Sequence, residues 1–151
     1  LIIVKGEPIV IEYNVRMGDP ETEVVIPRIQ SDLVGLFQAI GSQSLALSSV
    51  EIDARSAATI MLVSGGYPED FEKGKEITGI QSVAVGDALV FQAGTKADGE
   101  KILSNGGRVI AVTAFGESID EAIKKSYQNI NKISFDKMYY RKDIGFDLFK
   151  E

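Results

Sequence analysis

Glu12, Asn14 and Arg16 stand at alternate positions in the segment EYNVRMGDPETE, which directly follows the apolar run IIVKGEPIVI. In an extended strand the three would project from one face, with same-face neighbours about 6.7 Å apart. Two ligands of one Mg2+, each at about 2.1 Å, have donor atoms at most about 4.2 Å apart, and side chains as long as Glu and Asn can lean together over that difference. A carboxylate and an amide oxygen suit a hard cation and leave positions open for water and phosphate oxygens. Arg16 carries a planar fork that suits a phosphate or acyl-phosphate oxygen. Together the three would form a cation-plus-guanidinium clamp for phosphoryl transfer. The same alternation also describes a strand with a solvated polar face whose charges pair with one another.

Such a face needs a strand to carry it. LIIV and IVIEYNV flank KGEP, which predicts a β-hairpin. On its second strand Val10, Glu12, Asn14 and Arg16 would point one way, and Ile9, Ile11, Tyr13 and Val15 would point the other way, as core. GDPE then predicts a turn or loop. SDLVGLFQAIG predicts a helix with Ser31 as N-cap, Gly41 as C-cap and an apolar face of Leu33, Leu36, Phe37 and Ile40.

The more polar stretch at 41–53 is read as a domain boundary, which divides the chain into residues 1–45 and 46–151. SAATIMLV predicts a buried strand. SGGYPEDFEKGKEITG, rich in Gly, predicts a long loop of the kind that often carries function. SVAV and ALVFQAG are expected strands, and KILSNGGRVIAVTAFG an expected hairpin turning at NGG. SIDEAIKKSYQNINKI predicts a helix in which Ser118 and Glu121 have capping-box spacing and Ile119, Ile123, Tyr127 and Ile130 form the buried stripe. The aromatic-rich end, SFDKMYYRKDIGFDLFKE, is expected to be partly extended. The expected fold class is α+β, with antiparallel strands dominating and two substantial helices.

Composition narrows the chemistry. The 151 residues are 44% hydrophobic and 25% charged, an ordinary globular balance. No run reaches the roughly 18 apolar residues of a membrane span, and no signal peptide is visible, so a cytoplasmic protein without membrane partners is expected. The chain has no Cys, hence no disulfides and no thiolate chemistry, and no His, hence neither the commonest general base nor the commonest metal ligand. Any metal would be held by oxygen. A net charge of −6 with no basic cluster gives no support for nucleic-acid binding. The chain starts at Leu1 and enters a strand at once, which suggests a fragment of something longer.

Four segments together carry a family resemblance. E-x-N-x-R at the end of a strand is similar to the metal-binding strand of ATP-grasp enzymes. RMGDPETEVVIPRI, SGGYPEDFEKGKEITG, SNGGRVIAVTAFG and YYRKDIG, in that order, resemble phosphoribosylamine–glycine ligases, also called glycinamide ribonucleotide synthetases. Met17 is a small departure where Leu or Phe is more usual, and the tail FDLFKE has no clear family counterpart. The resemblance implies that residues 1–45 end an ATP-grasp module and that 46–151 form the small C-terminal domain. It implies an ATP-dependent ligase of purine biosynthesis, joining glycine to 5-phosphoribosylamine through glycyl phosphate. The fragment alone would be inactive, its partner being the missing N-terminal part of the same protein.

On that resemblance Glu12 and Asn14 would ligate Mg2+ or Mn2+, and Arg16 would contact the ATP phosphate or the acyl phosphate as the catalytic cation. A structural ion pair of Arg16 with Asp19 or Glu21 is the alternative. Asp19, Glu21, Lys73, Lys75 and Arg108 are candidate substrate contacts, each with a plainer reading as a turn residue, a solvated lysine or a hairpin flank. Tyr67, Tyr139, Tyr140 and Arg141 are expected to pack rather than to catalyse. Two other functions stay open: a non-catalytic binding or scaffold module, and another ATP-grasp carboxylate ligase such as a biotin carboxylase. The latter would continue with a Val-Glu-His-like segment rather than GDPETE.

Overall fold

The computed structural model describes residues 1–149, and the last two residues of the aromatic-rich end lie outside them. The fold is α+β, and all its strand pairs are antiparallel. β1 (Ile2–Val4) and β2 (Glu7–Ile9) form a hairpin, with Ile2 opposite Ile9, but Glu7 and Pro8 of the expected loop are strand and only Lys5 and Gly6 make the turn. Lys5 and Gly6 both have positive φ, as a type I′ turn demands. The second strand stops at Ile9, six residues short of the expected end at Val15. A strand needs a backbone partner, and beyond Ile9 none lies opposite it among the described residues.

α1 (Thr22–Val25) is a single turn that runs on into a 3-10 turn at Ile26–Arg28. α2 (Leu33–Gly41) is capped by Asp32, whose carboxylate accepts the Val34 N–H at 3.0 Å. The expected cap, Ser31, instead accepts the Glu51 N–H at 2.7 Å and ties the helix entry to the following segment. Gly41 is the last helical residue rather than the cap, and the helix closes at Ser42. Phe37 and Ile40 stay exposed, so only part of the anticipated apolar stripe is covered.

The core lies in the second half of the chain. β3 (Ser56–Val63) pairs with β8 (Arg108–Gly116), which also pairs with β5 (Leu89–Gln92), making β8 the central strand. A second sheet has the order β4 (Glu76–Ile77), β7 (Lys101–Ser104), β6 (Thr95–Asp98). β7 and β8 therefore belong to different sheets, and the expected hairpin at NGG is a crossing from one sheet to the other. The hairpin that does form joins β6 to β7 through Gly99-Glu100. Gly99, at φ +60°, occupies the position that a type II′ turn reserves for glycine. SVAV is not a strand: it begins in a 3-10 turn at Ile80–Ser82 and continues as turn and loop.

α3 (Ile119–Ile130) packs on one face of β3 and β8. Half of the expected capping box forms: Ser118 accepts the Glu121 N–H at 3.2 Å, but the Glu121 carboxylate accepts the N–H of Glu117, one residue before the cap, at 2.8 Å. Ile130 is buried with Ile60, Leu62, Ile110 and Val112, and Ile123 with Ala58 and Ala122. α1 contacts the same two strands, and Thr113, whose neighbours on β8 alternate in direction with it, bonds to the α1 backbone. The sheet thus has helices on both faces.

Candidate functional site

The segment bearing Glu12, Asn14 and Arg16 leaves β2 as exposed, irregular backbone. Tyr13 and Val15, expected to hold a strand down, are 83% and 100% exposed. The common face that alternation would create is therefore not formed within this chain. Glu12 and Asn14 make no side-chain hydrogen bond or ion pair among the described residues. Their oxygens are free, and a carboxylate plus an amide fits a hard divalent cation. No group of three or more carboxylates gathers anywhere among the described residues. The guanidinium of Arg16 donates to the Met17 carbonyl at 3.2 Å and pairs with neither Asp19 nor Glu21.

Order begins at the next turn. The Glu21 carboxylate accepts the Gly18 N–H at 2.7 Å, and the Thr22 hydroxyl donates to the Gly18 carbonyl at 2.6 Å. A side chain on Gly18 would press on the Glu21 carboxylate. Glu21 is thus a turn-building residue here. Asp19 meets Arg108: Nη1 donates to the Asp19 carbonyl at 2.7 Å, and Nη2 lies 3.3 Å from its carboxylate. Two of the five candidate substrate residues, 89 positions apart, are therefore bonded to each other.

Three glycines set the backbone under Arg108. A Cβ on Gly107 would collide with the Tyr67 ring, and one on Gly94 with the Arg108 carbonyl. Gly106 passes so close to Gly94 that a Cβ there would sit 3.0 Å from its Cα. Ser64 fastens the same segment: its N–H donates to the Gly107 carbonyl at 2.8 Å and its hydroxyl to that of Gly106 at 2.9 Å. Beside Arg108 lies a cleft of about 460 Å3 that includes Pro20, Met61, Tyr67, Tyr139 and Arg141. Arg141 is held by Asp143 at 2.9 and 3.1 Å, and Tyr140 packs against Tyr127 with ring centroids 6.2 Å apart.

The two lysines of the long loop differ. Lys73 is exposed and makes no ion pair among the described residues. Lys75 is held between Glu72 at 2.6 Å and Asp136 at 3.1 Å, while Lys137 bonds Glu72 at 2.9 Å from the other side. The hydrogen bond from Lys75, then that from Lys137, keeps the Glu72 carboxyl at about 2, well below its ordinary value. Lys75 thus already serves in a local network that ties the loop to residues 136 and 137.

A second polar centre was not foreseen. Asp53 accepts from Arg55 Nε and Nη2 at 3.1 and 2.6 Å, and that hydrogen bonding lowers its carboxyl to about 2. The Arg55 guanidinium lies 4.8 Å from the Phe115 ring centroid. Both line a cleft of about 520 Å3 together with Lys125 and Lys132, which pair with Glu121 and Asp87 respectively. The Asp-x-Arg pair was visible in the sequence, but its aromatic partner was not.

Comparison with known proteins agrees with this architecture. Residues 57–147 match the family model described as "Phosphoribosylglycinamide synthetase, C domain". The chain is 44% identical over 140 residues to a phosphoribosylamine–glycine ligase of Allochromatium vinosum, covering 93% of this chain and 33% of the relative. It is 42% identical over 147 residues to a bifunctional purine biosynthetic protein of Pichia angusta, covering 97% of this chain and 18% of the relative. The crystal structure of phosphoribosylamine–glycine ligase from Thermotoga maritima superposes with a TM-score of 0.71 at 34% identity, over 94% of this chain and 34% of that one. The chain thus spans about a third of the single-function relatives it matches. Three-fifths of its length lies within one family model whose fold it shares, and the chain therefore belongs to the phosphoribosylglycinamide synthetase C-domain family.

Proposed function

We propose that this chain is the C-terminal part of an ATP-dependent ligase that joins glycine to 5-phosphoribosylamine. In that reading residues 1–45 close an ATP-grasp module and residues 46–151 form the C-terminal domain beside it. The glycine carboxylate attacks the γ-phosphorus of ATP, giving glycyl phosphate and ADP. The amine of phosphoribosylamine then attacks the acyl carbon, phosphate leaves, and the nitrogen loses a proton to give glycinamide ribonucleotide. Both steps call for positioning and charge neutralisation rather than for a histidine base.

Glu12 and Asn14 would hold Mg2+ or Mn2+, which when bound neutralises phosphate charge. Arg16 would bind the phosphoryl or acyl-phosphate oxygens. Lys73, which makes no ion pair among the described residues, is a candidate contact for the sugar phosphate. The bonds that Asp19, Glu21, Lys75 and Arg108 make within the chain favour structural roles for them. The exposed apolar side chains of β1, β2 and residues 10–15 would be covered by the remainder of the same protein.

One observation carries this reading: the E-x-N-x-R segment, whose Glu12 and Asn14 side chains are unbonded among the described residues, is anchored through Asp19 and α1 on the domain that the family model matches. The test is Glu12→Gln in the full-length ligase. Glycine-dependent ADP formation should be abolished with the fold intact, and near-normal turnover would overturn the ligand assignment. Calorimetry of Mg-ATP against the 151-residue chain should give no tight binding, because the nucleotide pocket is assigned to the rest of the protein.

A further inference from the structure

We infer that Arg108 is a positioning residue that latches the turn following the E-x-N-x-R segment onto the central strand of the domain, rather than a contact for substrate; the catalytic consequence rests on the function proposed above. The register of β3 and β8 explains how Arg108 reaches that turn. Leu62 is opposite Ile110, but Val63 is opposite Arg108, so β8 carries one extra residue, Val109. A bulge of this kind re-aims the side chain beyond it. Without the bulge Arg108 would share the face of Ile110 and Val112, which is buried core. With it, Arg108 joins the face of Ala111 and Thr113, where α1 packs.

Thr113 makes a second attachment from that face. Its hydroxyl donates to the Glu23 carbonyl at 2.8 Å. A hydroxyl has one proton, so in the 2.6 Å contact between Thr59 and Thr113 the donor is Thr59. Arg108 and Thr113 therefore grip backbone carbonyls on both sides of Pro20, a residue with no N–H of its own. The base is stiff: β8 is hydrogen-bonded on both edges, and Val109 to Ala114 are fully buried. The Arg108–Asp19 ion pair is half exposed and by itself worth little. The charge-assisted bond to a main-chain oxygen does the fixing, because it holds the backbone three residues after Arg16.

Arg108→Met should leave the fold intact, since Arg108 is a partly exposed side chain at the start of its strand. In the 151-residue chain, amide exchange at Gly18 and Thr22 should quicken about tenfold, with the amides of β8 unchanged; unchanged exchange at the turn would overturn the latch. In the full-length ligase kcat should fall about tenfold or more while KM for the amine substrate changes little. Arg108→Lys, which keeps a donor for the carbonyl, should recover most of the loss. A raised KM with kcat retained would show Arg108 touching substrate and overturn the positioning role. The exchange readout is independent of the ligase reading, so a loosened turn alongside an active Glu12→Gln enzyme would sink the metal assignment and leave the latch standing.

Discussion

The Ser126 hydroxyl of α3 accepts the Ala114 N–H of β8 at 3.1 Å and donates to the Ala58 carbonyl of β3 at 2.8 Å. One buried side chain thus joins the helix to both strands at the register pair Ala58–Ala114.

Ser126→Ala should destabilise the domain by about 2 kcal/mol, because it leaves a buried donor and a buried acceptor without this partner. Chemical denaturation checks it: a lowered midpoint with an unchanged m-value is expected, and an unchanged midpoint would mean that water replaces the hydroxyl.

Gly79 and Gly99 both have positive φ but differ in surroundings. A Cβ on Gly79 would collide with the Lys132 carbonyl, whereas one on Gly99 meets open space. Gly79→Ala should therefore cost well over 2 kcal/mol and Gly99→Ala only about 1 kcal/mol, the left-handed backbone penalty. Equal melting temperatures for the two variants would contradict the crowding at Gly79.

Glu23 keeps one carboxylate oxygen buried without a hydrogen-bond partner among the described residues. Removing the charge while keeping the shape, as in Glu23→Gln, should hold or raise stability by up to about 1 kcal/mol. A melting temperature several degrees lower would show that the buried oxygen has a partner in solution.

Glu72 sets an acid-sensitive link between the long loop and residues 136 and 137. Its carboxyl sits at about 2 in the folded chain against an ordinary 4.5. Over that window the unfolded chain binds more protons, so this contribution is complete above about pH 4.5 and is lost as pH falls toward 2. Glu72→Gln should flatten the fall of stability across that range, and an identical pH profile for the variant would show that the network adds nothing.

Much of the core was legible because local rules and global packing agree there. The Ser118–Glu121 spacing and the stripe through Ile123 and Ile130 specify α3 with only one face to bury. SAATIMLV, continuous and apolar, forms a strand packed on both faces. At NGG, local chemistry misled: those residues permit a tight hairpin, but the glycines serve close approach to Gly94 and Tyr67 while the chain changes sheet. The hairpin turn that forms has Gly99-Glu100 at its centre, a Gly-first pair that suits a type II′ turn and is a plainer local signal. For Ser31, one residue from the true cap, the competing partner was the backbone of Glu51.

The same division runs through the candidate site. The sequence by itself determined the donor chemistry, Glu12, Asn14 and Arg16 with no histidine or thiol to compete, and four ordered segments that resemble one ligase family. It could not show that β2 ends at Ile9, because a strand exists only by pairing with a second segment of backbone. Nor could it pair Asp19 with Arg108: the two are joined only because a single extra residue in β8 turns Arg108 to the face where α1 lies. Residue types and short spacings fix which groups are on hand, while register, measured against a partner strand, decides which of them meet.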